Sequence, residues 1–213
     1  MQAIEKIDVS TNWVTIIFMI LLLCVFLLKG FHGRKLKEYF FAFFNKGFII
    51  SEIEERAPFF NRFSFVLFFF TTLNFSVVTF LLINYFTGTS LLEPPFFGKT
   101  LGAVFCYFFL KWSLEHLFTI LFSIQAETIP FLTAKKIYTH TLNLWAFPLL
   151  ILFFYTALNE KMIILLLLFL FVIKVLLLVA NNKNLILSKL FYIILYICAF
   201  EIAPLFILFK WLF

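Results

Sequence analysis

The chain has 213 residues, of which 64% are apolar and 13% charged, with 36 Phe and a formal net charge of +6. Soluble domains average about 45–50% apolar and about 25% charged, so a water-solvated fold is excluded and a membrane protein is expected. Asp8 is the single aspartate and Arg34, Arg56 and Arg62 are the only arginines, which removes aspartyl dyads, Asp-rich metal motifs and any guanidinium cluster for phosphate.

In lipid the backbone must satisfy itself, so continuous apolarity without period-two alternation specifies helices and not a barrel. Spans of about 20 residues are needed, and six are predicted near 12–28, 63–86, 101–122, 137–158, 162–179 and 190–208. The fold class is therefore an all-α, polytopic bundle in one transmembrane domain over 1–213. The first run is not a secretory signal, because Glu5 and Asp8 precede it and Lys29, Arg34, Lys35 and Lys37 follow it, the reverse of a signal peptide's polarity. Next, residues 31–49 read as one amphipathic helix in the cytoplasmic interface. Phe40 and Phe44 lie on its apolar side and Arg34, Lys35 and Lys37 on its charged side, a surface for lipid or for a partner. Glu52 to Pro58 reads as a solvated charged turn, with Pro58 opening the second span. Within that span Asn74, amid Thr71, Thr72, Ser76 and Thr79, is expected to hold helices together. Asn159-Glu160-Lys161 is so short that the fourth and fifth spans form an antiparallel hairpin.

The loops 29–62, 123–141 and 180–189 hold eleven Lys and Arg, against four on the opposite side. The positive-inside rule puts the richer set in the cytoplasm and both termini on the outer side, which in a Gram-negative cell is the periplasm.

Charged residues inside spans are costly and ask for partners or a role. Lys111 and Glu115 are one turn apart on the third span, with His116 beside them. Counted at about 1.5 Å per residue, Lys111, Glu115, Lys174 and Glu201 fall within one layer. A buried charge network is expected, joined by Pro204 where the last span loosens, and serving either mutual neutralisation and subunit contact or a proton or ion relay. A second polar cluster, Tyr138, His140, Asn143 and Pro148, sits at the cytoplasmic end of the fourth span, where Pro148 predicts a kink. Cys24, Cys106 and Cys198 have neither disulfide nor zinc spacing, and no nucleophile elbow, phosphate loop or zinc-protease motif is present. No cofactor, metal or nucleic acid is expected.

Leu195 to Leu205, reading Leu-Tyr-Ile-Cys-Ala-Phe-Glu-Ile-Ala-Pro-Leu, resembles the closing signature of a Bacteroidota integral-membrane family known as domain of unknown function number 4271. Tyr138, Asn143 and Pro148 are similar to a Tyr, Asn and Pro pattern in the same family. The resemblance implies a bacterial inner-membrane protein, directs attention to Glu201 and Pro204, and implies no activity. The functional expectation is a non-enzymatic subunit of an envelope-biogenesis or protein-export assembly, with lipids and other membrane subunits as partners. The alternatives are a small transporter or lipid-handling protein using the charge network, and a lipid-headgroup enzyme using His140 and Asn143.

Overall fold

The computed structural model describes residues 12–54, 61–87, 94–121, 125–156 and 159–181. They form six helices: α1 (Asn12–Phe40), α2 (Lys46–Glu54), α3 (Arg62–Thr87), α4 (Pro94–Leu121), α5 (Gln125–Tyr155) and α6 (Glu160–Asn181). No strand occurs among the described residues. Four helices, α1, α3, α5 and α6, are long and apolar enough to cross a membrane. The predicted runs at 12–28, 63–86, 137–158 and 162–179 overlap them; the run at 190–208 lies outside the described residues.

Local chemistry sets several helix starts. Asn45 Oδ1 accepts from Phe48 N at 3.3 Å and caps α2, and Asn159 Oδ1 accepts from Lys161 N at 3.2 Å at the start of α6, both the work of short polar side chains on orphan amides. Glu160 adds a negative charge to the first turn of α6, where the helix dipole favours it. Pro94 and Pro95 open α4, a place where a missing N–H costs nothing.

Ring contacts give the packing directions. Trp13 meets Phe80 and His32 meets Phe63, so α1 and α3 run antiparallel. Phe108 meets Phe68 and Phe75, and Phe96 and Phe97 meet Phe80, which sets α4 antiparallel to α3. Phe18 packs on Phe154, and Tyr155 Oη bonds to Thr15 Oγ1 at 3.1 Å, so α1 and α5 are also antiparallel. Pairs Thr71–His140 and Asn74–Asn143 share one offset of 69 residues; a constant offset means that α3 and α5 lie parallel. α6 returns along α5 and reaches Tyr138 at Asn181, whose side-chain amide donates to the phenol oxygen. The core is aromatic and aliphatic, with Phe63, Phe70, Phe80, Leu21, Leu28 and Leu150 almost wholly enclosed.

The predicted single interfacial helix over 31–49 takes another form. α1 continues through that region but breaks at His32 (φ −151°, ψ 74°), a turn follows at 41–45, and α2 comes after it. Gly30 and Gly33 flank the break, and glycine pairs are a usual cause of helix kinks. The break reverses the chain. His32 stands beside Phe63, about 12 Å of helix rise below Thr71 and its neighbour His140. Yet the carbonyls of Tyr39 and Phe40 reach Thr141 and Trp145 on α5. The segment 33–40 therefore climbs back along the bundle, and its eight residues supply about 12 Å of rise. Tyr39 points its ring down again to Phe63, at 5.7 Å, as side chains lean toward their helix's N-terminus. Segment 33–40 and α2 thus form a short helical hairpin against α5. Residues 52–54 belong to α2 and not to the predicted charged turn. By contrast α5 runs as one helix through Pro130 and Pro148, and the non-helical residue of the bundle's long helices is His32 of α1.

Candidate functional site

Two faces of α5 carry the polar residues of the interior. His140, Asn143 and Phe147 repeat at three- and four-residue steps on the face toward α3, while Tyr138, Thr141 and Trp145 repeat at the same steps toward the hairpin.

On the first face His140 Nδ1 is 2.7 Å from Thr71 Oγ1. The hydroxyl also donates to Leu67 O at 2.8 Å within its own helix. Asn74 Nδ2 donates to Asn143 O at 3.0 Å and to Asn143 Oδ1 at 3.2 Å, and Asn143 Nδ2 donates to Thr139 O at 2.9 Å. All four residues are buried; His140 is 4% exposed and Asn74 and Asn143 are 0%. Asn74 Oδ1 has no hydrogen-bond partner among the described residues. Of the polar residues around Asn74, Thr72, Ser76 and Thr79 turn back to the carbonyls one turn earlier on α3, so that Asn74 and Thr71 make the cross-helix bonds.

On the second face α5 caps the end of α1. The last carbonyls of a helix lack intrahelical donors, and here Thr141 Oγ1 donates to Tyr39 O at 2.9 Å and Trp145 Nε1 to Phe40 O at 2.9 Å. The Phe40 ring stacks on Trp145 with centroids 4.8 Å apart, and Phe43 stacks on Tyr138. Within the hairpin Lys35 Nζ lies 2.8 Å from Glu52 Oε1, and Tyr39 Oη donates to the same oxygen at 3.4 Å. Arg34 pairs with Glu38 on the exposed side.

The predicted polar cluster on the fourth span is thus divided. His140 and Asn143 face α3, Tyr138 faces the hairpin and Asn181, and Pro148 is exposed. Of the predicted interfacial surface, Lys35 and Phe40 are used inside the protein; Arg34, Lys37 and Phe44 are exposed. In the predicted charge network, Lys111 stands on α4 with its ammonium 5.6 Å from the Tyr107 ring, and Lys174 stands on α6 at 5.6 Å from the Phe171 ring. α4 packs chiefly on α3 and α6 on α5. The side chains of Glu115 and His116, like Glu201 and Pro204, lie outside the described residues. Tyr39, Glu52, Thr141, Trp145 and Asn181 carry no sequence signal of their roles: their partners are 13 to 105 residues away, set by the break at His32 and by the α5 register. No group of three or more His, Cys, Asp or Glu poised for a metal occurs among the described residues.

A helical bundle with four candidate spans, an interior polar layer and a capped helical hairpin defines a polytopic membrane protein. Its sequence from residue 14 to residue 212 matches the family Domain of unknown function (DUF4271), and the chain belongs to that family. No curated protein and no solved structure matches it.

Proposed function

We propose that the protein is a non-enzymatic integral subunit of a multiprotein assembly in a bacterial inner membrane, with six spans and both termini outside. Besides the four candidate spans, this count takes α4 as the third span and the apolar run at 190–208 as the sixth. The topology is supported by Lys29, Arg34, Lys35, Lys37, Lys135 and Lys136, which the antiparallel register gathers at one end of the bundle, opposite the Thr15–Tyr155 bond.

The observation that carries the subunit reading is how the interior polar groups are used. His140, Asn143, Thr71, Thr141 and Trp145 are spent on tying helices and capping a helix end, which a scaffold requires; the hydroxyl that stands beside the His140 imidazole, Thr71 Oγ1, gives its proton to Leu67 O. α6 in turn offers a broad apolar exterior, Met162, Leu165, Leu168, Phe169 and Leu176. In water such a surface would mark an association site; in a membrane it suits lipid or a neighbouring helix. Against this stands one feature that favours a small transporter or lipid-handling protein: the unpartnered Asn74 Oδ1 is an acceptor in the interior layer, placed to take a polar group in passage.

Affinity purification of the natively expressed protein in mild detergent, with mass spectrometry and Glu201→Ala as comparison, tests the proposal. Stoichiometric membrane partners that are lost in the variant support it, and partners from envelope biogenesis or protein export would define the task. A monodisperse protein without partners in both forms overturns it.

A further inference from the structure

The outer side of the hairpin is basic and aromatic. Hydrogen bonds from Phe41 N to Lys37 O (3.1 Å) and from Asn45 N to Phe41 O (3.1 Å) continue helical spacing past the end of α1, so Arg34, Lys37, Phe41 and Phe44 fall on one face. Phe41 is 45% exposed and Phe44 78%. Arg34 is offset by Glu38. Lys37 is exposed and so is Lys46 at the start of α2, and neither has an ion-pair partner among the described residues. Two uncompensated cations therefore flank two exposed phenyl rings at the hairpin tip.

Depth points the same way. From Tyr155, at the far end of the bundle, a hydrocarbon core of about 30 Å extends along α5 to about residue 135, where Lys135 and Lys136 stand. Tyr138, on which Phe43 stacks, is inside that boundary by about 5 Å, the depth at which interfacial helices bury their apolar faces, while Trp145, on which Phe40 stacks, lies about 10 Å deeper.

We propose that the α1–α2 hairpin is an anionic-lipid contact: Phe41 and Phe44 enter the acyl region of the basic-side leaflet, while Lys37 and Lys46 hold lipid phosphates. The leaflet's identity rests on the topology proposed above; the contact itself needs only an anionic leaflet. Membrane-surface attraction of about 1 kcal/mol per basic residue corresponds to about a fivefold loss of lipid preference for each lysine removed. Lys35 takes no part, since Glu52 holds it.

The test uses the full chain in vesicles with equal leaflets of phosphatidylcholine containing a minority of phosphatidylglycerol, so that insertion direction does not matter. Spin-labelled phosphatidylglycerol and phosphatidylcholine are compared for retention at the protein surface, for wild type, K37Q/K46Q, K37R/K46R and K99Q. The expected result is preference for the anionic lipid that falls by up to about 25-fold, fivefold per lysine, in K37Q/K46Q, survives in K37R/K46R and K99Q, and weakens with salt. In parallel, a fluorophore on Phe44→Cys in a chain lacking the native cysteines is quenched by lipids brominated on their acyl chains. Equal preference in wild type and K37Q/K46Q overturns the proposal. So does a position-44 probe quenched by aqueous iodide and not by brominated lipid, which would assign the surface to a protein partner. Absence of partners from both forms in the purification described above, with lipid preference intact, would refute the subunit reading alone.

Discussion

Removing Asn74 should harm the protein more than removing Asn143, although the two side chains face each other. Asn74 Nδ2 bonds to both the main-chain and the side-chain oxygen of Asn143, at 3.0 and 3.2 Å. Asn143 Nδ2 is engaged elsewhere, on Thr139 O of its own helix. Asn74→Ala therefore breaks two cross-helix bonds and leaves Asn143 Oδ1 buried and unpaired, whereas Asn143→Ala breaks one and leaves its own carbonyl to accept from Asn74. Interhelical hydrogen bonds in membranes average about 0.6 kcal/mol and reach about 1.7. The expected losses are then about 1–3 kcal/mol for Asn74→Ala and about 1 kcal/mol for Asn143→Ala. Asn74 Oδ1 is already unpartnered, so replacing both residues by leucine removes a standing desolvation penalty and should cost less than Asn74→Ala alone. Unfolding of the protein in mixed micelles by titrated SDS, run as a double-mutant cycle, gives each value. Equal losses for the two alanine variants, or a coupling of zero, would refute the proposed role of this pair.

Thr71→Val and His140→Phe each remove the 2.7 Å bond between α3 and α5; each should destabilise by about 1 kcal/mol, with the double variant no worse than the larger single loss in the same titration. Trp145→Phe keeps the stacking on Phe40 but removes the donor to its carbonyl, so hydrogen exchange across 33–54 should quicken while α4 is unchanged. Glu52→Leu leaves Lys35 partly buried without its anion, at a cost of up to about 3 kcal/mol; adding Lys35→Met should restore most of that stability, as read by thermal unfolding in detergent. Gly30→Ala and Gly33→Ala should both be accommodated, because a new Cβ meets nothing within 4 Å at Gly30 and only Lys29 Cγ at 3.8 Å at Gly33. A rise in stability of the double alanine variant with loss of the Trp145–Phe40 contact would show the break straightening.

Composition and the lengths of the apolar runs decide the solvent, the helical class and the long apolar elements. A backbone in hydrocarbon has few ways to satisfy itself, and run length fixes where it crosses. The sequence also marks His140, Asn143 and Asn74, since a polar group in an apolar run must find a partner whatever the fold. Only the tertiary structure chose those partners. The parallel register of α3 and α5 sets Thr71 on His140 and Asn74 on Asn143, and the same periodicity on α5 turns Thr141 and Trp145 to another neighbour. The amphipathic pattern at 31–49 described which residues share a face but not that the chain reverses within it. Gly30 and Gly33 make the helix easy to break beside His32, and contacts on both sides place the break: the His32 ring on Phe63, and the carbonyls of Tyr39 and Phe40 drawn to donors on α5. Lys35 and Phe40 consequently face inward while Lys37 and Phe44 remain outside, a division that depends on where the chain returns and not on composition or spacing.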